Sequence, residues 1–315
     1  MSKRTGIAPI LGKKSQKRVA GRCEVLSAIS FVIFIAISTG YPMRVFAISD
    51  LHIDYKENHR WVQRLSNCDF TDDVVIVAGD VTDRADPMRD TLCGLKQKFA
   101  RVFFVPGNHD LWVRPNERCD SLEKFHALMA LCNVLDIETS WAQLPGVQIV
   151  PLLSWYEKPE ESTDSLYVPQ EGEDAALHMW ADNRLIRWTE GERPIARYML
   201  AQNTAHVQGD GPVITFSHFL PRRELIFGRS HSAPRPRPLT SASNFNFSRV
   251  AGTRALDRLL RKLGSSIHIY GHQHRNRCRE IEGVTYISHC LGYQRERQLG
   301  VVCGMDEGPR LVWET

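Results

Sequence analysis

Short apolar runs rich in β-branched and aromatic residues alternate with single amphipathic windows along this chain. No other feature of the sequence narrows the fold as much. "MRVFAIS" at 43–49, "DVVIVAG" at 73–79 and "RVFFVPG" at 101–107 read as buried strands. The windows 56–66, 86–99 and 120–132 read as helices. Trp61, Val62 and Leu65 share one face of the first, and Asp86-Pro87 opens the second. Strands joined by single helices pair in parallel through right-handed crossovers. Further strands are expected at 147–155, 211–218, 266–270 and 284–288, with a short pair near 300–303 and 311–314. Helical patterns cover 174–188, 193–206 and 248–264, the last closed by Gly264. The acidic, Pro-containing stretch 157–174 and the basic, Pro-rich stretch 222–241 read as loops. The class is α/β, with one domain from residue 43 to 315 and no internal repeat.

The first 42 residues differ in kind. They hold seven basic residues and one acid, a net of +6 against +4 for the whole chain, which leaves the rest at −2. A mildly acidic body has no electrostatic reason to bind nucleic acid. No charged residue falls between Val25 and Met43, a length at the lower edge of what spans a bilayer. Three readings stand for residues 1–42. They are a signal anchor, a cleaved targeting segment, or a dispensable extension, and the last is preferred because Met43 directly precedes the first core strand. Membrane contact would be confined to 25–43. Eight cysteines without a CxxC pair, in a chain this long, point to reduced thiols and a cytoplasmic domain.

The strand ends carry the chemistry. After 43–49 come Asp50 and His52, and after 73–79 come Asp80 and Asp83. After 101–107 come Asn108, His109 and Asp110; after 211–217 comes His218; after 266–271 come His272 and His274. Any one of these alone reads as a helix cap or a turn. The set does not, because turns have no need of histidine. Sites in parallel α/β sheets form at the carboxyl ends of strands, so these groups should converge. Carboxylate, amide oxygen and imidazole suit divalent Mn, Fe, Ni, Zn or Co.

The motifs DxH, GDxxD, GNHD, a lone His and GHxH resemble the calcineurin-like metallophosphoesterases over residues 43 to about 299. The resemblance implies a four-layer αββα sandwich, with two mixed β-sheets flanked by helices. It implies two divalent ions. Asp50, His52 and His274 would hold one, Asp80 would bridge, and Asn108, His218 and His272 would complete the other. Two ions bridged in this way activate water and clamp an in-line displacement at phosphorus. His109 would face the substrate as general acid, with Asp110 orienting its ring. Ala85 after Asp83-Arg84, Asp110 in place of Glu, and the presence of GHxH set the chain apart from protein Ser/Thr phosphatases.

The substrate is a phosphate mono- or diester of unspecified identity. Arg222, Arg223 and Arg229 in one loop, and Arg295 and Arg297 in "GYQRER", are candidates for reading its phosphate. Trp155, Trp180 and Trp188 are expected in the core or its cover. The alternative is a metal-binding scaffold of the same fold without turnover. Scaffold members of the family tend to lose ligands or the acid histidine, whereas here all are present.

Overall fold

In a computed structural model, the structure describes residues 42–188, 194–204, 211–227 and 244–315. The expectations for residues 1–41, most of the basic loop and Arg229 lie outside the described residues. No described helix is long and apolar enough to cross a membrane. Pro42–Thr315 forms one unit.

The first sheet is built from β1 (Arg44–Ile48), β2 (Val74–Val77) and β3 (Arg101–Phe104), with helices α1 (Lys56–Arg64), α2 (Ala85–Lys98) and α3 (Ser121–Val134) in the connections. The three strands pair in parallel. The second sheet begins with β4 (Ala142–Leu144) and β5 (Val147–Pro151). After α4 (Asp182–Leu185) and α5 (Ile195–Ala201) it resumes with β6 (Val213–Phe216). After α6 (Arg223–Ile226) and α7 (Arg254–Lys262) come β7 (Ser265–Tyr270), β8 (Arg277–Ile281) and β9 (Val284–Ser288). Then α8 (Gln294–Gln298) leads to β10 (Arg310–Glu314). The strand orders are β10-β1-β2-β3 and β4-β5-β6-β7-β9-β8. Each sheet is mixed: β10 lies antiparallel on β1, while β4 and β8 are antiparallel edges of the second sheet.

The alternation of side chains along a strand explains why these runs are apolar throughout. Val45, Ala47, Val74 and Ile76 point inward and pack with Val147, Ile149, Ile214, Phe216 and Ile269 of the second sheet. Phe46, Ile48, Val75 and Val77 point outward, into a core with Val62, Leu92, Leu95, Phe125 and Leu128 of the helices. On the far side, Val150, Val213, Tyr270 and Tyr286 pack with Leu256 and Leu260 of α7. Helices, sheet, sheet and helix give the expected four layers, in which both faces of every central strand are buried.

Four local expectations are corrected. The window 174–188 is helical only at α4. Asp174 accepts hydrogen bonds from the backbone N–H of Ala176 (3.1 Å) and His178 (2.7 Å), which bend the chain before a helix can form. Residues 310–314 pair with β1 and not with 300–303. The stretch from 222 begins with α6. Strand β8 was not anticipated. It is a charged edge, "RCREI", joined to β9 by Glu282-Gly283, and both turn residues have positive φ as a type I′ hairpin requires.

Candidate metal centre

All the expected ligands leave the carboxyl ends of β1, β2, β3, β6 and β7, so both sheets contribute. The sheets are joined at this point. Leu291 N–H donates to the Ser49 carbonyl (2.9 Å), Gly292 N–H to that of Asp50 (3.0 Å), and Ser49 N–H to that of His289 (3.0 Å). Asp50, His52, Asp80, Asn108, His218, His272 and His274 are all buried. Three overlapping groups have ligand atoms mutually within 4.8 Å: Asp50, His52 and His274; His52, Asp80 and His109; and Asp80, His218 and His272. Asn108 joins the last group, its Oδ1 lying 3.2 Å from His218 Nε2.

The backbone is strained to bring these groups together. Asp50, His52, Asp80, His272 and His274 all have positive φ, between 41° and 71°. Left-handed non-glycine residues are uncommon, and they persist where the surrounding structure holds them. Glycines make the close approach possible. A Cβ on Gly107 would stand 2.1 Å from Asp80 Oδ1, and one on Gly271 would stand 2.7 Å from Asp50 Oδ2.

The donor atoms are aimed by their other bonds. His218 Nδ1–H donates to the Ala78 carbonyl (2.9 Å) and His272 Nε2–H to that of Val250 (2.9 Å). His274 Nδ1–H donates to Glu296 (2.7 Å). Each bond fixes a tautomer and leaves the opposite nitrogen free for an ion. His52 Nε2 and His274 Nε2 face each other at 3.0 Å. Burial works against a proton on His218, but Asp80 holds its imidazole up at about 9. Asp50 and Glu296 likewise hold His274 at about 10. Burial opposes the ionisation of Asp50, but the His274 bond and charge bring its carboxyl down to about 2. Buried carboxylate, amide-oxygen and imidazole donors converging within 4.8 Å fit divalent cations.

His109 stands at the edge of this cluster. Its ring lies 4.5 Å from that of His52 and 3.5 Å from that of Trp112, centroid to centroid. Burial pushes its imidazole down to about 4, against the pull of Asp80. Asp110 does not orient this ring. Its carboxylate accepts from the backbone N–H groups of Asp80 (2.9 Å), Val81 (2.8 Å), Thr82 (3.0 Å) and Gly107 (2.8 Å), which ties the second strand end to the third. Burial and the Asp80 charge raise it to about 7, against those amides.

Three of the arginine candidates are held by partners within the protein. The Arg222 guanidinium is committed to Glu224, Asp257 and Glu282. Arg297 donates to the carbonyls of Leu291 and Gly292 and to Asn58, and so supports the loop before α8. Arg223 donates to the Ser165 carbonyl (2.9 Å). Arg295 is exposed, and its guanidinium has no hydrogen-bond or ion-pair partner among the described residues. Sequence reasoning missed Glu296, Tyr293 and Asp182. The Tyr293 ring lies 4.7 Å from those of both His52 and His274. Trp155 is buried and Trp180 and Trp188 pack on the same core, as expected. The seven described cysteines are unpaired.

An αββα sandwich with clustered carboxylates and imidazoles at the ends of strands from both sheets defines a metal-dependent phosphoesterase. Residues 43–276 match the model of the calcineurin-like phosphoesterase family, and the chain belongs to that family. It is 33% identical over 129 residues to the [acyl-carrier-protein] phosphodiesterase PptH of Mycobacterium tuberculosis (strain ATCC 25618 / H37Rv). That match takes in 38% of this chain and 40% of the relative's length. The crystal structure of the phosphopantetheinyl hydrolase PptH from Mycobacterium tuberculosis superposes with a TM-score of 0.64 at 23% identity, covering 82% of this chain and 93% of that one.

Proposed function

We propose that this chain hydrolyses a phosphodiester at a two-ion centre, with a phosphopantetheinylated acyl carrier protein as substrate. The overlap of the three ligand groups through His52 and Asp80 carries the two-ion part. The PptH likeness supports the substrate. Asp50, His52 and His274 would hold one ion, Asp80 would bridge, and Asn108, His218 and His272 would hold the other. Manganese, iron, zinc and nickel all suit these donors. Bound divalent ions would supply Lewis acidity to the phosphoryl oxygens and lower the pKa of water.

His109 does the remaining work. Water oxygen bonds to phosphorus and gives up a proton to solvent, the ester P–O bond breaks, and the leaving oxygen takes a proton from the His109 imidazolium, which solvent then re-protonates. In the free protein burial keeps that ring neutral. The negative charge of a bound phosphodiester raises its proton affinity when the proton is needed. The scaffold reading has no observation in its favour, since the sequence keeps every residue of the family motifs, His109 included.

The test compares wild type and His109→Ala on an alkyl phosphodiester and on bis-p-nitrophenyl phosphate, with Mn, Zn, Ni and Fe in turn. Loss of ~10²–10⁴-fold in turnover is expected on the alkyl ester and far less on the nitrophenyl ester. Mass analysis of a holo carrier protein after incubation reads the substrate directly. Wild type inactive on every diester with all four metals overturns the proposal.

A further inference from the structure

Asn108 carries one amide between two neighbours. Its Oδ1 faces His218 Nε2, and its Nδ2–H donates to Asp182 Oδ1 at 2.9 Å. Only one end of an amide offers oxygen to a cation, and a neighbour that can only accept decides which end that is. The same Asp182 oxygen accepts from Trp112 Nε1–H at 2.6 Å, and Trp112 lies against His109. Asp182 Oδ2 accepts from the Tyr156 hydroxyl at 3.2 Å. Asp182 is 2% exposed. Its segment is anchored beside the third strand end, where Val113 N–H donates to the Leu185 carbonyl (2.7 Å) and Ser121 N–H to that of Arg187 (2.8 Å).

We propose that Asp182 is a positioning residue that sets the amide of Asn108 and the ring of His109 together from one carboxylate. The roles of those two side chains rest on the phosphodiesterase reading. Asp182 itself touches neither substrate nor ion. It keeps Asn108 Oδ1 turned to the centre and, through the indole, keeps the His109 ring in place. It lies in the connection between β5 and β6, more than seventy residues beyond Asn108, in no recognised motif.

Metal-stripped wild type, Asp182→Ala, Asp182→Asn and Trp112→Phe are titrated with Mn²⁺ by calorimetry, without substrate, and then assayed on the two diesters. Asp182→Ala is expected to bind one of two Mn²⁺ ions ~10–100-fold more weakly. Asp182→Asn keeps an acceptor oxygen and should restore that affinity to within a few-fold. Trp112→Phe keeps an aromatic ring but loses the donor. It should bind Mn²⁺ as wild type does, yet lose more turnover on the alkyl diester than on the nitrophenyl diester. Unchanged Mn²⁺ affinity in Asp182→Ala overturns the proposal, as does an equal effect of Trp112→Phe on both esters. If Asp182→Ala does not fold, the Trp112→Phe ratio decides. If wild type hydrolyses neither diester, the phosphodiesterase reading falls, and the Mn²⁺ affinities still decide the part of Asp182.

Discussion

Gly107 has no room for a side chain. The position a Cβ would take is 2.1 Å from Asp80 Oδ1 and 2.7 Å from a ring carbon of His218. Both neighbours are proposed ligands, and neither can retreat, since Asp80 Oδ1 also accepts from His109 N–H at 2.9 Å. Gly107→Ala should therefore leave the sandwich folded and displace Asp80. A displacement near 1 Å at a reacting centre costs roughly 10²-fold in rate. Turnover should fall by at least that much while the far-UV circular dichroism and the cooperativity of unfolding stay as in wild type. Full activity in that variant would mean that Asp80 is not needed where it stands. GNHD was legible as a motif, but the duty of its last residue was not. Sequence adjacency suggested that Asp110 serves His109, whereas its carboxylate serves four backbone amides.

The elements that were easy to read are those buried on both faces. Strands such as β2, with every residue buried, announce themselves by composition. An edge such as β8 does not, because charged residues stand on both of its faces, with Arg277 buried and Glu280 exposed, and so no apolar alternation shows. Helix α8 was hidden for another reason. It is five residues long with none buried, so no apolar period marks it, yet it contributes Glu296, the acceptor for His274 Nδ1–H. Glu296→Gln should weaken Mn²⁺ binding by ~10–100-fold, read by titration of the metal-stripped protein. Unchanged affinity would make the bond incidental. Strands β6 and β7 enclose another buried imidazole, outside the proposed ligand set. His268 Nδ1 meets Thr215 Oγ1 at 2.7 Å and Nε2 meets Ser217 Oγ at 3.1 Å, and burial pushes the ring down to about 3. The unfolded chain takes up this proton near pH 6.5 and the folded protein only near 3. Stability from this residue is therefore complete above pH 6.5 and lost as pH falls from there toward 3, by up to about 1.4 kcal/mol per pH unit. Urea unfolding from pH 7 to 4.5 should show a shallower decline in His268→Gln than in wild type, and parallel declines would contradict it.

At the scale of the whole molecule, two sheets packed face to face bring their strand ends to one place. Proposed ligands more than two hundred residues apart in sequence, such as His52 and His274, thereby meet at 3.0 Å. That convergence was legible because strand ends recur as a pattern. The connection between β5 and β6 follows no such pattern, and it hid Asp182. The direct test of the two-ion phosphoesterase is a stoichiometric titration of the metal-stripped protein with Mn²⁺, following hydrolysis of bis-p-nitrophenyl phosphate at each addition. Activity should be absent at the start and rise to a plateau at two ions per chain. Full hydrolysis without divalent ion, or a plateau at one ion per chain, would contradict it.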